Sequence, residues 1–565
     1  MVLANRFIGI RHRRKATKEG EARPTTVAIQ TREGVQVYDL ETETHELDFL
    51  LHRFPVEWRD LASTEEEVVW FHKDNAPDGV RRDHCKWRTL KKEEKVDGLN
   101  PNHLRRILNS KGLPVAQLLT KVPTKFDGLE KGDVVGMVLG GSGDRFAAAL
   151  SRQGEEIGAT VWRIPPFALL ALRGDVSKDE DHLTLARLVE ENQNSFYLLR
   201  RRDRAGIRVK EALAIRQDAM KARIGCEQRM LQALVGSIFL TQEGRFPEGV
   251  VEDEFDKIKA NDAIYQGLLA EEARRDKEME KAVKTLEIWG AIFDKITGCG
   301  PRITAGIIAP IGDIRRFWVE PDPQAMQRLY ERSQDLERQG MLEEDKVHVA
   351  GRSAGKTPFQ ILQMTRSWQQ QNGKPMEVQL LTEAIACHHE RHLLRVKAMQ
   401  KGMGKFKKFC GVHCTAEGKF PRRRAGEVAN WNPNVRQALY LLGDQFNRRP
   451  GSHWGKELLK WKGILREKHS NVECSTCGVP WDQCKKQGVA IVGPLPTELA
   501  ELGLPADVGV LKGRHSKRYT DGHIHKMAIW RTLSKFVEHL FKVWSRIEKE
   551  QSGGIQAASG QSEAA

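Results

Sequence analysis

Apolar positions alternate at the front of the chain and change to a helical period further on. Short alternating runs at Arg6–Ile10, Thr26–Gln30 and Val35–Leu40 predict three strands, with Arg32, Glu33 and Gly34 as the hairpin turn between the last two. Asp133–Gly141 (DVVGMVLGG) predicts a buried strand ending in a glycine-rich turn, followed by a helix over 144–153 and a strand over Ala159–Ile164. Strands alternating with helices predict an α/β sheet of mixed direction. Residues 56–125 interrupt this pattern. Trp58, Trp70 and Trp87 sit there among dense charges with no clean period, which suggests an inserted basic, mostly helical lobe.

From residue 203 the period is helical. Residues 203–240 and 253–297 repeat apolar side chains at three and four spacings, as at Met230, Leu231, Leu234 and Ile238, and GRFPEGV (244–250) breaks the two runs apart. An antiparallel helical pair or coiled coil is expected over 201–295. Self-association through it and a solvated intramolecular hairpin fit equally, because heptads are not sustained. Next comes ITGCGPRITAGIIAPIGDIRRF (296–317), with Gly298 and Gly300 between two apolar helical patterns. Glycine tolerates the positive φ of a tight turn. Free N–H groups at the start of the second helix, with its dipole, form a phosphate seat. Arg302, Arg315 and Arg316 stand close by in sequence. The segment is a candidate helix-hairpin-helix, the alternative being a hairpin that only packs. An all-α region is expected over 296–550, with an insertion at about 318–404 and a disordered Gly/Ser/Ala-rich tail over 551–565.

Composition changes this picture in one direction. The 565 residues contain 91 Lys+Arg against 76 Asp+Glu, a formal net charge of +15. That surplus favours a polyanionic partner. No run of eighteen apolar residues is present, so no membrane span is expected. MVLANRFIGIRHRRK reaches charge too early for a secretory signal. The nine cysteines are scattered apart from three near the end, which suits a reducing cytoplasm better than a disulfide framework.

Those three cysteines carry candidate chemistry. Cys474-x-x-Cys477 lets two thiolates reach one tetrahedral metal from a tight turn, and Cys484 adds a third ligand. The fourth would come from His469, His515, His523 or His525. Zinc is the expected ion, the alternative being a loop with exposed thiols. The most concentrated basic loop is Arg422, Arg423 and Arg424, with Lys405–Lys408 (KFKK) upstream and Trp431 as a stacking platform beside it. Leu533, Phe536, Val537, Leu540, Phe541 and Trp544 form an apolar helical stripe, either core or an oligomer seam.

Several of these segments resemble one family. GCGPRITAGIIAPIGDIRRF (298–317) looks like the transposase-domain segment of insertion-sequence transposases of the Piv/MooV type, which carry a RuvC-like DEDD domain in front and a helix-hairpin-helix domain behind. FCGVHC (409–414) resembles the family's Tyr-x-Gly-Leu segment. RRRAGEVANWNPNVRQALYLL (422–442) resembles its Gly-x-Ile-Thr-Lys-x-Gly-Asn-x-x-Leu-Arg-x-Ala-Leu run, with Gly426, Asn432, Arg436, Ala438 and Leu439 in register. YTDGHIHKMAIWRTLSKFVEHLF (519–541) resembles the closing helix. The resemblance implies an RNase-H-like (RuvC-like) domain over 1–200 with its insertion at 56–125. It also implies DNA as partner, a structured guide RNA, a homo-oligomer and a cytoplasmic, nucleoid-associated protein. Gly298, Gly300, Arg302, Arg422, Arg423, Arg424, Asn432 and Arg436 become the nucleic-acid-binding candidates, with the elbow and the cationic loop together cradling phosphates.

In that family four acids hold two magnesium ions for phosphodiester chemistry. In this chain Arg11 stands at the first acidic position, Gly140 at the second and Lys178 at the third, and only Asp181 matches. Asp175 and Asp179 are nearby acids able to stand in. Cations in place of carboxylates repel a metal. The family's serine nucleophile is also missing. Glu417 stands in its place, with Cys414 and Thr415 nearby but out of register. Two functions therefore stand open: DNA transposition or site-specific recombination, and DNA or RNA binding by a catalytically inactive relative.

Overall fold

The computed structural model describes residues 6–560, apart from 15, 17–20, 62–80, 92–93, 95–97, 109–111, 241–248, 343–354, 416–417, 423–425, 427, 471–472 and 494–509, with side chains described to 550. The chain divides into two compact units, Met1–Arg208 and Val209–Ala565.

The first unit is built on the predicted mixed sheet. Strands β1 (Phe7–Arg11), β2 (Thr25–Thr31) and β3 (Gly34–Leu40) lead to helix α1 (Glu43–Leu50). After the insertion come β8 (Val134–Val138), α2 (Asp144–Ile157), β9 (Thr160–Ile164), α3 (Pro166–Arg173), α4 (Asp181–Glu191) and the short β10 (Tyr197–Leu198). The sheet order is β10-β9-β8-β1-β2-β3. Strands β1, β8 and β9 run parallel, while β2, β3 and β10 pair antiparallel to their neighbours. The pleat sorts side chains onto two faces. Ile8, Ile10, Val27, Ile29, Val135 and Met137 meet Ala147 and Leu150 of α2 and Phe49 of α1. On the opposite face Phe7, Val134 and Val138 meet Leu185, Leu188 and Val189 of α4. Gly9 and Gly136 let α4 lie directly on that face, since a Cβ on Gly9 would stand 1.9 Å from the carbonyl oxygen of His182.

The insertion corrects the expectation of a helical lobe. Strands β4 (Phe54–Asp60), β5 (Lys86–Thr89), β6 (Leu104–Leu108) and the 14-residue β7 (Pro114–Asp127) form an antiparallel sheet with β7 paired to the other three. A small core of Cys85, Leu119 and Val122, backed by Leu61 and Trp87, holds it. Bulges in the β4–β7 and β5–β7 pairings shift the register, which breaks the two-residue period that would betray strands.

In the second unit α5 (Arg201–Leu240) contributes its part from Val209, and the predicted second helix is three pieces, α6 (Val251–Asn261), α7 (Ala263–Lys284) and α8 (Glu287–Ala291). Asp262 caps α7 by accepting from the Tyr265 N–H at 2.6 Å, so the break is a cap. The hairpin is intramolecular. Leu234 and Ile238 pack on Phe255, and buried Arg216 pairs with Glu272 at 2.8 Å and Asp276 at 3.0 Å. Next come α9 (Pro301–Ile311) and the 318–404 region of α10 (Pro323–Gly340), α11 (Pro358–Gln371) and α12 (Pro375–Phe409). The chain closes with α13 (Pro433–Arg448), α14 (His453–Lys468), the hairpin of β11 (Ala490–Gly493) with β12 (Val510–Arg514), and α15 (Asp521–Gly560). The apolar stripe of α15 is core: Leu533, Phe536, Val537 and Leu540 are fully buried. Helix α15 runs to Gly560, and residues 561–565 of the expected tail lie outside the described residues. Among the described residues no helix is long and apolar enough to cross a membrane.

Candidate functional site

The cysteine cluster is assembled by two backbone clasps. In the first, Cys474-Ser-Thr-Cys477-Gly478 turns back on itself. Gly478 takes φ +70° and donates its N–H to the Cys474 carbonyl at 3.1 Å, while the Cys474 N–H donates to Val479 at 2.8 Å. Only glycine adopts that φ at low cost. In the second, the β11–β12 hairpin delivers the residue after it, His515, whose N–H donates to Val489 at 3.0 Å. The Ser475 N–H donates to Ser516 at 2.8 Å and the Arg518 N–H to Glu473 at 2.7 Å, which ties the clasps together. A short 3-10 turn, Trp481–Gln483, presents Cys484.

The result is a Cys3His group of Cys474, Cys477, Cys484 and His515 whose ligand atoms all lie within 4.8 Å of one another. The Cys477 and Cys484 sulfurs are 3.7 Å apart, and His515 Nδ1 is 3.4 Å from Cys474 Sγ and 3.9 Å from Cys484 Sγ. A tetrahedron with metal–sulfur bonds of about 2.3 Å and metal–nitrogen bonds of about 2.0 Å has edges of roughly 3.8 and 3.5 Å. This group can hold a metal ion. Burial opposes the Cys474 thiolate, but the backbone N–H groups of Cys477 and Thr476 and hydrogen bonds from Cys477 and His515 outweigh it, bringing the thiol down to about 6. Of the four histidines open from sequence, the fold selects His515. His469 stacks on Tyr519 with ring centroids 3.9 Å apart, and His523 lies against the same ring.

Among the described residues the front unit has no comparable group around Asp181. Arg11, closing β1, donates to Thr26 Oγ1 at 2.8 Å and to both the carbonyl and the carboxylate of Asp179. Arg23 pairs with the same carboxylate at 2.6 Å. Asp181 is buried with its nearest cation, Arg173, at 3.4 Å, and Asp175 is exposed. Of the acidic trio expected to hold magnesium, Asp179 is therefore held by Arg11 and Arg23 and Asp181 by Arg173, while Asp175 stands apart at the surface. Lys178 stands in the exposed 3-10 turn, and Gly140 takes φ +90° in the turn after β8. Among the described residues the second metal-like group, His52, Asp127 and Glu130, is filled by the guanidinium of Arg6, at 3.1 Å from Asp127 and 2.7 Å from Glu130.

Burial, more than the nearby cations offset, raises the Asp181 carboxyl above the ordinary range. A raised native value means that the native state binds more protons than the unfolded chain just above the ordinary carboxylate range. Stability therefore falls as pH rises through that window. Asp181→Asn is expected to flatten this slope, with the native state gaining stability at neutral pH; melting curves across pH 4 to 8 of both proteins check it.

The elbow forms as a turn into α9. Gly298 takes φ +90°, whereas Gly300 is an extended N-cap with φ −75°, so only the first glycine uses the left-handed region. No side chain caps α9, and Pro301 at its first position has no N–H. The N–H groups of Arg302 and Ile303 thus open the helix uncapped. Arg302 is exposed and paired with Asp276. Arg315 is buried against Asp313 at 2.6 Å and takes no part.

The cationic loop lies elsewhere. Gly306 faces Ala438 while Gly298 faces Gln445 and Arg449, so α9 runs antiparallel to α13. The elbow sits at the C-terminal end of α13 and Arg422 near its N-terminal end, about 24 Å away along its 16 residues. Among the described residues the elbow and Arg422 do not come together in the expected joint cradle. Asn432 caps α13 by accepting from Asn434 and Val435. Arg436 is clamped between Trp431 and Trp530 at 4.7 and 4.5 Å and donates to the Pro421 carbonyl at 2.6 Å. Both are structural, and Trp431 has one face occupied. Arg422 is exposed, while Arg423, Arg424 and Glu417 lie outside the described residues. Sequence reasoning missed the elbow's true neighbour, exposed Arg449, and a cavity of about 200 Å³ beside it lined by Lys295, Thr297, Ser452, His453 and His539. Arg449, Ser452 and His453 lie at the α13–α14 turn, some 150 positions along the chain from the elbow, and His539 comes from α15.

No known protein-family model matches the chain. A search of curated proteins finds none significantly similar to it.

Proposed function

We propose that this chain is a DNA- or RNA-binding protein of transposase descent that holds polynucleotide without cutting it, and that its Cys3His group binds zinc. The exposed, uncapped start of α9 beside Gly298 and Arg449 carries the reading. Backbone N–H groups, a helix dipole and neighbouring cations suit a phosphate and read no base. The net charge of +15 adds a general attraction. A mixed sheet with a central first strand and helices on both faces supports an RNase-H-like first unit, in which Arg11 and Arg23 hold Asp179 where a metal would need free carboxylates. Three cysteines and one histidine at tetrahedral spacing are a ligand set that zinc takes for structural purposes.

The expected result is salt-sensitive binding of duplex, branched DNA or stem-loop RNA, with affinity falling steeply between 50 and 200 mM salt. Arg302→Glu combined with Arg449→Glu should weaken binding at least about tenfold and lower the salt slope by roughly two. Fluorescence anisotropy measures both. Supercoiled plasmid in magnesium or manganese should stay intact. Unchanged affinity in the double variant would remove the elbow from the reading, and nicking abolished by Asp181→Ala would restore transposition.

A further inference from the structure

The turn between β8 and α2 carries a serine that the proposed function does not use. Gly140 and Gly141, both left-handed at φ +90° and +88°, bend the chain sharply out of the strand, and Ser142 stands exposed at the apex before α2 begins. His12, one residue past the end of β1, faces it with Nδ1 2.9 Å from Ser142 Oγ. The other imidazole nitrogen, Nε2, lies 3.3 Å from Glu46 Oε1 on α1. Glu46 is 7% exposed and is fixed in turn by Thr25, whose hydroxyl donates to Oε1 at 2.6 Å. Thr25 is itself held by the Arg13 N–H at 3.0 Å.

We infer that Ser142, His12 and Glu46 form a nucleophilic centre that hydrolyses small carboxylic esters. Serine needs an adjacent base, and the base needs a third group to fix its tautomer. An ionised carboxylate can only accept, so Glu46 holds the imidazole proton on Nε2 and leaves the Nδ1 lone pair facing the serine hydroxyl. Burial of Glu46 is outweighed by the hydrogen bonds from His12 and Thr25, which keep its carboxyl below the ordinary range and therefore ionised. Ser142 Oγ also lies 3.2 Å from the Arg13 carbonyl, the resting acceptor that competes for its proton. Gly143 eases the approach, because a Cβ there would crowd His12, standing 3.1 Å from its Cβ.

The position suits the chemistry. A serine on a sharp strand-to-helix turn presents its oxygen beside the first N–H groups of the helix, which stabilise an oxyanion. The crevice lies at the carboxyl ends of β1 and β8, the two parallel strands from which the chain departs in opposite senses across the sheet. A neutral ester is favoured over a phosphodiester because the guanidinium of Arg13, the residue after His12, is held by Glu43 at 2.6 Å and by Glu46 at 3.4 Å.

The steps balance. Ser142 Oγ bonds to the ester carbonyl carbon as its proton passes to His12 Nδ1. The carbon–oxygen bond to the alcohol then breaks, and the alcohol leaves with that proton. Water gives a proton to His12 Nδ1 and attacks the acyl group; the Oγ–carbon bond breaks and the proton returns to Oγ.

A fluorophosphonate probe tests the activated serine directly, and p-nitrophenyl acetate tests turnover, both on the full chain. Mass spectrometry should place one label on Ser142, absent from Ser142→Ala, whose exposed site leaves the melting temperature unchanged. His12→Ala should abolish both reactions. Glu46→Gln should slow labelling at least about a hundredfold and Glu46→Asp should restore part of it. An unlabelled Ser142 with intact fold, or ester turnover unchanged in Ser142→Ala, overturns the proposal. A detergent-resistant Ser142–DNA adduct would overturn the ester assignment in favour of phosphodiester chemistry.

Discussion

Purified chain should carry one zinc ion, and Cys474→Ser or His515→Ala should release it. Each ligand supplies one vertex of a four-coordinate site, and structural zinc sites lose most of their affinity when a vertex is removed. The described part of this region offers little else to hold it. Val479, Val489, Val492 and Leu511 are exposed, so little apolar surface is buried there. In structural zinc modules metal binding and folding are one free energy, of order 10 kcal/mol in isolated fingers. Chelation should therefore unfold the stretches 473–493 and 510–518 while the helical core around α15 survives, giving an early melting transition separate from the main one. Elemental analysis and calorimetry with and without chelator check both halves. Cobalt substitution offers a second reading, because thiolate-to-cobalt absorption would show sulfur ligation directly. Zinc retained at full stoichiometry in Cys474→Ser would remove this cysteine from the ligand set.

Gly9→Ala is expected to be the most damaging single methyl group in the first unit. The new Cβ would lie 1.9 Å from the His182 carbonyl oxygen and 2.4 Å from the Ala186 nitrogen. Both are backbone atoms of α4, so no side-chain rotation relieves the clash and the helix must lift off the sheet. Overpacking of flexible sites costs about 1–3 kcal/mol, and an unyielding backbone contact exceeds that range. The melting transition of this unit should fall by roughly 10 °C. Gly300→Ala is the control, since a Cβ there meets nothing within 4 Å and φ is −75°. It should melt as the parent does. Equal melting of both variants would mean that α4 does not press on β1.

The sequence disclosed what short-range patterning encodes. Ile8 and Ile10 alternating around Gly9, DVVGMVLGG as a strand, and the stripe on α15 all appear where expected because neighbours in sequence fix them. The second sheet escaped notice because its small core is shared among Cys85, Leu119 and Val122, with lysines and arginines interspersed along its strands. Site residues followed the same division. Cys474 and Cys477 are legible through spacing alone, whereas His515 needed a hairpin to choose it from four candidates. Arg449 reaches the elbow only through antiparallel packing of α9 on α13. Ser142 and His12 are 130 residues apart and leave no local signature.

The arginine pair at the end of the first sheet also constrains how this lineage can change. Arg11 and Arg23 share one carboxylate, Asp179, while Thr26 links Arg11 to Asp39. An acid at position 11 would bring a new negative charge beside Asp39 and Asp179, with Arg23 left to balance the cluster. The corner therefore works as an interlock: a carboxylate enters at position 11 without loss of stability only when a second change removes one of its neighbours.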